Sequence, residues 1–232
     1  MKLLIDGDPI VYRIAFASQK RKGEDGLVIP DPESHALHSC KVYLNDMIEH
    51  TECESYKIFL TGKDNFRYKV REDYKGNRKQ NVRPVHYQAI RDYMESRFHA
   101  QVVNGIEADD ALALEQLPDH STAIATIDKD LLMVEGLHYN YNTREWKVVT
   151  HEEGTRFFYK QMLTGDRVDN ITGIRGIGDK KADKLLDAHD DWDALIIEKY
   201  MEEFEHGYHR AVENTQLLWM LQRNKQMPME FK

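Results

Sequence analysis

Acidic side chains stand directly after three short apolar runs of the sequence, each of which predicts a buried strand. These acids are Asp6, Asp8, Glu107, Asp109, Asp110, Asp128 and Asp130. Parallel strands present their carboxyl ends at one edge of a sheet, so we expect these side chains to converge there. That many negative charges in one cleft repel one another unless cations neutralise them. The pattern therefore predicts a site for divalent cations.

The donor types indicate which ions this cluster would hold and what chemistry would follow. Carboxylate oxygens without a thiolate or imidazole cluster favour Mg²⁺ or Mn²⁺. Glu107 and Asp110 lie three residues apart, which on a helix puts them on one face and turns Asp109 elsewhere. That geometry could serve two ions, an arrangement that hydrolyses phosphodiester bonds. Taken singly, each acid could also be a helix cap or a turn residue.

Other reactive residue types offer little competition for this chemistry. The sequence has no Ser-His-Asp or Cys-His arrangement that would favour nucleophilic catalysis. His35, His38 and Cys40 suggest zinc, but they fall within one amphipathic helix and no Cys-x-x-Cys pair accompanies them. We interpret them as packing or surface residues. Only one other cysteine is present, Cys53, which fits a reducing compartment where disulfides are not used.

The elements that must position the acids alternate along the first two thirds of the chain. Apolar runs predict strands at 2–5, 56–60, 101–103 and 121–127. Periodicity and start signals predict helices that open at Pro9, Pro84 and Glu107, and one that Ser34 caps. Such alternation predicts an α/β fold, a mostly parallel sheet with helices on both faces. From His151 onward the pattern is wholly helical, so we expect an α/β domain over 1–150 and a helical region over 151–232.

Composition and charge narrow the class of protein further. Hydrophobic residues make up 41% and charged residues 31% of the chain, which excludes a disordered protein and a disulfide mini-protein. A mean hydropathy of −0.67 and the absence of an apolar run of about 18 residues predict no membrane span. An acid as early as Asp6 argues against a signal peptide, so we expect a cytoplasmic protein.

Basic side chains concentrate in one stretch of an otherwise acidic chain. The formal net charge is −8, yet residues 63–91 hold nine basic side chains against three acidic ones. Such a stretch is an electrostatic footprint for a polyanion such as nucleic acid. Within it Lys75, Arg78, Lys79 and Arg83 could reach phosphates, while Tyr74 could stack on a base or sugar. A flexible charged loop is the alternative interpretation.

A glycine-rich segment in the helical region gives a more specific signal. Residues 173–181 read Gly-Ile-Arg-Gly-Ile-Gly-Asp-Lys-Lys between helical segments, as in a helix-hairpin-helix turn at about 165–190. Backbone N–H groups near Gly176 and Gly178 would hold a DNA phosphate without reading a base. Lys180 and Lys181 stand where further phosphate contacts would form. A plain helix-helix turn with a C-cap glycine is the alternative.

In their order along the chain, these motifs resemble the flap-endonuclease and 5′-exonuclease superfamily. The resemblance covers about residues 1 to 190 and looks greatest to the 5′-to-3′ exonucleases of T-odd bacteriophages. It rests on Ile5-Asp6-Gly7, Tyr74-Lys75-Gly76-Asn77-Arg78, Glu107-Ala108-Asp109-Asp110, Asp128-Lys129-Asp130, Gly165-Asp166-Arg167-Val168-Asp169-Asn170 and the glycine turn.

The resemblance implies a PIN-like nuclease fold with a helix-three-turn-helix motif and a site for two Mg²⁺ or Mn²⁺ ions. The first ion would lie on the positions of Asp6, Glu107, Asp109 and Asp128 or Asp130, and the second on those of Asp130, Asp166 and Asp169. Lys75 and Arg78 would steer the scissile phosphate, and a K⁺ ion could bridge the glycine turn to DNA.

The resemblance also implies a reaction and a setting. The substrate would be duplex DNA with a 5′ end, nick, gap or flap, and an RNA–DNA hybrid could be cut in an RNase H-like side activity. A phage-encoded enzyme of this kind would act in DNA replication or recombination in the bacterial host cytoplasm. The alternatives are a PIN-type ribonuclease, which would lack the glycine turn, and an inactive DNA-end-binding protein, which would not need so many mutually repelling carboxylates.

Two departures from the family pattern qualify this expectation. Members usually carry an aspartate directly after the second strand, whereas here Leu60-Thr61-Gly62-Lys63 precedes Asp64. Asp64, like Asp8, is therefore only a candidate ligand. The 32 residues from Lys75 to Glu107 are also short for a helical arch that threads a 5′ flap. We therefore expect action on duplex ends in preference to cleavage of long flaps.

Overall fold

Short apolar runs and amphipathic periods fold the chain into alternating strands and helices. The computed structural model describes residues 1–19, 21–22, 28–78, 82–223 and 225–228. The strands are β1 (Lys2–Asp6), β2 (Arg21–Lys22), β3 (Val28–Ile29), β4 (Ser55–Thr61), β5 (Gln101–Val103), β6 (Thr122–Ala125), β7 (Gly136–Asn140), β8 (Glu145–Val149), β9 (Gly165–Asp166) and β10 (Ile171–Thr172).

Helices and 3₁₀ turns connect these strands. The helices are α1 (Asp8–Ala17), α2 (Glu33–Thr51), α3 (Arg67–Val70), α4 (Tyr87–Phe98), α5 (Ala108–Glu115), α6 (His151–Thr164), α7 (Asp179–Asp187), α8 (Trp192–Glu203) and α9 (Gly207–Leu218). The 3₁₀ turns are Gly76–Arg78 and Lys129–Met133. Among the described residues, no helix is long and apolar enough to cross a membrane.

β1 lies inside a six-stranded sheet with the order β5-β4-β1-β6-β7-β8. Ile5 of β1 pairs with Ile58 of β4 on one side and with Ala125 of β6 on the other. The strands from β5 to β7 run parallel, while β8 pairs antiparallel with β7. The predicted α/β class with a mostly parallel sheet is therefore confirmed. The order reverses at β1, which opens a cleft at the carboxyl ends of the strands.

The two faces of the sheet bury two hydrophobic clusters. Leu3 and Ile5 pack with residues of α1, α2 and α4 on one face. Leu4 and Ile124 pack with residues of α5 to α9 on the other. β8 ends at Val149 and α6 begins at His151, so the elements change type near residue 150. The C-terminal helices nevertheless share a core with the sheet, which ties them rigidly to the edge that carries the acids.

Several local predictions differ from the structure for identifiable reasons. The strand pair β7–β8 was not predicted, because four of the five residues of β8 are exposed and leave no apolar run. The short hairpin β9–β10 interrupts the region predicted to be wholly helical. Pro84 does not open α4, since its carbonyl accepts from Tyr87 N in a turn before the helix. α2 likewise begins one residue before Ser34, with Pro32 in the cap position.

Candidate active site

Asp6, Asp109 and Asp128 form one group of carboxylates at the carboxyl edge of the sheet. Asp6 ends β1, Asp109 lies in the first turn of α5, and Asp128 follows β6. Burial and the charges of Asp6 and Asp128 raise the pKa of Asp109 well above its usual value. Burial also raises the pKa of Asp6, helped by Asp8 and Asp128 and opposed by a hydrogen bond from Thr126. These acids are crowded, and the charge of nearby Lys75 does not offset the burial of Asp109.

Asp130, Asp166 and Asp169 form a second group beside the first. Burial, followed by the charges of Asp128 and Asp166, raises the pKa of Asp130 to about 7. The Asp166 carboxylate accepts from Val168 N at 2.7 Å, which fixes it at the start of the loop between β9 and β10. Burial also raises the pKa of Asp169, although nearby Lys75 works against it. The structure thus brings the two predicted groups of ligands to adjoining positions.

Glu107 joins the two groups through contacts with the basic segment. Its Oε1 lies 2.5 Å from Lys75 Nζ, and Asp169 Oδ2 lies 3.5 Å from the same nitrogen. Arg78 forms an ion pair with Asp169. Burial lowers the pKa of the Lys75 ammonium, but the charges of Glu107 and Asp169 outweigh it and raise that pKa. Lys75 and Arg78, both predicted active-site cations, therefore contact carboxylates of the cleft.

The conformation of Lys75 helps to place its side chain over the cleft. Its φ is 53°, a left-handed backbone that residues other than glycine seldom adopt. The backbone N–H of Lys75 donates to the carbonyl of Asp169 at 3.0 Å, which anchors this conformation. The Asn170 side chain donates to the carbonyl of Asp73 at 2.9 Å and ties the same two loops together. Conformational strain of this kind is a feature of functional sites.

Tyr74 corrects one sequence-based expectation. It was predicted to stack on a base or sugar, but its side chain is 1% exposed. Its hydroxyl lies 3.1 Å from Glu107 Oε2 and 3.0 Å from Asp169 Oδ2, so it can donate its one proton to either carboxylate. The tyrosine is therefore a buried support of the acidic cluster and presents no face to a nucleotide.

Asp110 corrects another expectation, because both of its oxygens are already occupied. Arg67 donates to them in a forked pair at 2.5 Å and 2.8 Å, and the backbone N–H groups of Glu107 and Leu221 also donate to them. Asp110 is fully buried. Arg67 in turn donates to the carbonyls of Leu217 and Trp219. The pair is a structural clamp, so the acid of α5 that faces the cleft is Asp109.

The two remaining candidate ligands, Asp8 and Asp64, do not join the two groups of acids in the cleft. Asp8 accepts from Arg91 and from the backbone N–H of Thr61, which fixes both of its oxygens beside β4. Asp64 is exposed, with a φ of 62°, and no contact joins it to the acids in the described part of the chain. Neither position therefore offers an aspartate that points freely into the cleft at the end of β4.

The basic stretch divides into internal and external side chains. Arg67 and Arg91 are buried in ion pairs with Asp110 and Asp8. The count of basic residues in the sequence therefore overstates the positive charge that a polyanion would contact at the surface. Arg83 is exposed and lies 4.9 Å above the ring of Tyr87. Lys79, which was predicted to contact DNA, lies outside the described residues.

Aromatic side chains that the sequence analysis did not single out flank the site beyond Asp8. Tyr12 and Phe16 are 40% and 48% exposed, and their rings lie 6.2 Å apart. Tyr12 also contacts Tyr87, with ring centroids 4.9 Å apart. The spacing of four residues between these two aromatic side chains was the sequence signal for this surface.

The glycine turn ends at the exposed start of α7. Gly176 has a φ of 76°, and Gly178 caps the helix. No atom lies within 4 Å of where a side chain would begin at either glycine, so the backbone there is open to approach. Lys180 and Lys181 follow on the first turn of α7 and are exposed.

The residues at the cleft fit divalent cations better than they fit the cations now present. Four carboxylates of the cleft have raised pKa values, those of Asp6, Asp109, Asp130 and Asp169. Lys75 and Arg78 form ion pairs with one of these four, Asp169. In the described chain, no three of these side chains are arranged to hold an ion as they stand. Lys75 bridges Glu107 and Asp169 instead, and Arg78 pairs with Asp169. Hard carboxylate oxygens of this kind are typical ligands of Mg²⁺ and Mn²⁺.

The mostly parallel sheet with acids at its carboxyl edge has the fold of PIN-like flap nucleases. The chain belongs to the 5′-3′ exonuclease family, since the model of its N-terminal resolvase-like domain matches residues 1–160. It is 27% identical over 205 residues to DNA polymerase I of Bacillus caldotenax, a match that covers 79% of this chain and 23% of the polymerase. The chain thus spans about a quarter of the length of that relative.

Solved structures of bacteriophage T5 nucleases share the fold. The T5 5′-exonuclease with bound zinc ions matches with a TM-score of 0.65 at 17% identity, covering 94% of this chain and 86% of that one. A complex of the T5 flap endonuclease with DNA and metal ions matches with a TM-score of 0.60 at 17% identity, covering 94% and 85%. The predicted resemblance to the flap-endonuclease and 5′-exonuclease superfamily is therefore confirmed.

Proposed function

We propose that this chain is a divalent-metal-dependent 5′-nuclease that hydrolyses phosphodiester bonds near 5′ ends of duplex DNA. The observation that carries the proposal is the pair of adjoining carboxylate groups, contacted by Lys75 and Arg78, at the switch point of the sheet. The family assignment and the DNA in the T5 complex support it.

Two Mg²⁺ or Mn²⁺ ions would be held by the two groups of acids. Asp6, Glu107, Asp109 and Asp128 would hold one, and Asp130, Asp166 and Asp169 the other. When bound, such ions activate a water and stabilise the leaving oxygen. Asp110 is not among the ligands, because Arg67 and two backbone N–H groups occupy its carboxylate.

Lys75 and Arg78 would act on the phosphate itself. Both contact Glu107 or Asp169, so both already lie beside the carboxylates that would hold the ions. Ions bound to those carboxylates would compete with the side-chain cations and free them for phosphate oxygens. The lysine would act as a point charge, and the arginine as a planar fork that grips two oxygens. Their charge would be worth most as charge builds on the phosphate in the transition state.

The DNA would lie across two surfaces outside the cleft. The open backbone at Gly176 and Gly178, with Lys180 and Lys181 next to it, suits a duplex phosphate and reads no base. A helix-hairpin-helix role for this turn, and a K⁺ ion there, stay predictions. On the other side of the cleft, exposed Tyr12 and the nearby Arg83 offer a ring and a charge to a strand end.

Duplex ends are the expected substrates, in preference to long threaded flaps. α4 follows the basic segment, but it packs through Ile90 and Met94 into the core beneath the sheet. α4 is therefore a core helix and does not form part of an arch over the cleft. Action on an RNA–DNA hybrid and a role in phage replication or recombination stay predictions from the resemblance.

Cleavage assays on labelled substrates test the proposal. Blunt, nicked, gapped and flapped duplexes and an RNA–DNA hybrid would be incubated with Mg²⁺, Mn²⁺ or EDTA. We expect products from the 5′ end of DNA with either metal and none in EDTA. Cleavage of single-stranded RNA alone would point to a ribonuclease, and DNA binding without any cleavage to an inactive end-binding protein.

Single substitutions separate chemistry from binding in the same assay. Asp128→Asn and Asp166→Asn should lose cleavage but keep DNA binding, because removing a negative charge does not weaken attraction to phosphates. Asp190→Asn makes the same charge change at an exposed position away from the cleft and serves as the control. Full turnover by either cleft variant would contradict the assignment of that acid.

A further inference from the structure

Gln161 is a buried residue of α6 whose side chain reaches the second group of acids. Its amide nitrogen donates to Asp130 Oδ1 at 2.7 Å. The side chain is 6% exposed, and its carbonyl oxygen Oε1 is buried without a hydrogen-bond partner. Because a carboxylate accepts, the nitrogen must face Asp130, and this fixes which end of the amide is left over. A buried acceptor without a partner is destabilising, so its position calls for a reason.

The surroundings of this oxygen are rich in acceptors and poor in free donors. Gln161 lines a small cleft together with Glu107, Asp130, Asp166 and Asp169. Carboxylates offer no proton to a carbonyl. Two donors also line the cleft, Arg67 and Tyr74, but Arg67 is engaged by Asp110 and backbone carbonyls, and Tyr74 by Glu107 and Asp169. A cation, or water held by a cation, would satisfy the oxygen and the acids together.

A second buried glutamine shows how this fold satisfies such a side chain where its role is structural. Gln116 is 5% exposed. Its nitrogen donates to the carbonyl of Leu137 at 2.9 Å, and its oxygen accepts from the Thr122 hydroxyl at 2.9 Å. Both ends of Gln116 are therefore paired, whereas only the nitrogen of Gln161 is. What sets Gln161 apart is that its open acceptor lines the cleft of the acids, where a cation would satisfy both.

We propose that Gln161 is a positioning residue of the metal site. Its amide nitrogen orients Asp130, and its carbonyl oxygen faces the hydration shell of the cation held by Asp130, Asp166 and Asp169. The inference rests on the proposed function, since it assumes that these acids hold a divalent ion. Groups that orient metal ligands in this way typically change metal affinity by 10–100-fold when they are replaced.

Mn²⁺ binding to the full chain without DNA, followed by electron paramagnetic resonance, tests the inference directly. Gln161→Leu should weaken Mn²⁺ binding about 10-fold. The Mg²⁺ concentration for half-maximal cleavage should rise similarly, with the rate recovering at saturating Mg²⁺. Gln116→Leu is the matched control, because it should lower Tm through its two lost hydrogen bonds and leave the Mn²⁺ affinity unchanged.

Gln161→Glu separates the two ends of the amide. It keeps an oxygen toward the cation but loses the donor to Asp130, and its added charge favours a bound cation. We expect it to bind Mn²⁺ at least as tightly as the wild type. Binding as weak as that of Gln161→Leu would overturn the role of the carbonyl.

The wild-type titration distinguishes a failure of this inference from a failure of the proposed function. Equal Mn²⁺ affinities for the wild type and a folded Gln161→Leu variant would overturn the role of Gln161 alone. A wild-type chain that binds no Mn²⁺ and cleaves no DNA would overturn the proposed function and this inference with it.

Discussion

Two sets of ion pairs connect the same basic stretch to acids at the cleft, and they differ in how completely their hydrogen bonds are satisfied. At the back of the cleft, the forked pair between Arg67 and Asp110 is buried, and further backbone groups complete its hydrogen bonds. At the front, Lys75 and Arg78 contact Glu107 and Asp169 beside Asp109, where burial and the neighbouring acids outweigh the charge of Lys75. A closed set of contacts indicates a structural role, and an open one indicates a site for a ligand.

The adjacent residues Asp109 and Asp110 give the sharpest test of this difference. Asp109→Asn should reduce cleavage by about 10³-fold, because it removes a proposed ligand of the ion that activates the nucleophile. Its free energy of unfolding should not fall, since burial and the charges of Asp6 and Asp128 already disfavour the ionised carboxylate. Single-turnover rates and urea unfolding measure the two effects. Normal cleavage by this variant would place Asp109 outside the site.

Asp110→Asn should show the opposite pattern. It leaves the Arg67 guanidinium buried without its charge partner, which typically costs about 3–5 kcal/mol of stability. Urea unfolding monitored by circular dichroism would measure the loss. The double variant Arg67→Met/Asp110→Leu should recover much of it, because a buried ion pair can be replaced by apolar residues. A single variant as stable as the wild type would show that the clamp is not structural.

The sequence predicted which acids would lie together, but it did not predict which of the neighbours Asp109 and Asp110 would face the cleft and which would be structural. Aspartates after apolar runs are visible in the sequence, and the parallel topology brought them to one edge. Glu107 and Asp110 do lie together, since Arg67 Nη1 is 3.6 Å from one and 2.5 Å from the other, but the expectation that Asp109 turns away from the cleft was wrong. Glu107 is the N-cap of α5 and has an extended backbone. Asp110 therefore turns back to the N–H of Glu107 in a capping box, and Asp109 is left to face the cleft.

Contacts between distant segments explain the other differences. Tyr74 was predicted to stack on nucleic acid, and Arg67 and Arg91 were counted in the basic stretch that predicted a polyanion. Their buried partners come from residues far along the chain, such as Asp169 for the tyrosine and Leu217 for Arg67. Gln161 gave no signal at all, because an isolated glutamine in an amphipathic helix is unremarkable until its partner Asp130 is known. Residue types predict chemistry, but only the fold assigns each side chain to one partner.

Lys75→Ala tests whether the front set acts on the reaction. Loss of one charge that stabilises the transition state should lower kcat by about 10²-fold. The duplex Kd should change much less, since many other phosphate contacts remain. Lys69→Ala is the control, because Lys69 is exposed in the same basic stretch. Weaker binding with an unchanged single-turnover rate at saturating enzyme would mean that Lys75 only follows the backbone.

The smallest expected effect concerns Lys180 and Lys181, which contact neither set of ion pairs. They are exposed on the first turn of α7, next to the open backbone of Gly176 and Gly178, so they are free to meet phosphates. Lys180→Ala/Lys181→Ala should weaken duplex binding and lower the slope of log K against log salt by about 2, roughly one unit per lost contact.

The rate of cleavage separates this surface from the cleft. At saturating enzyme the single-turnover rate of the double variant should be unchanged, because the lysines lie outside the cluster of acids. Lys41→Ala/Lys147→Ala removes the same charge from exposed positions on α2 and β8, and its salt slope should match that of the wild type. If both double variants shift the slope equally, the effect is one of net charge and the turn makes no specific contact. A shift confined to α7 would place the duplex on the C-terminal helices, leaving the sheet edge to the chemistry.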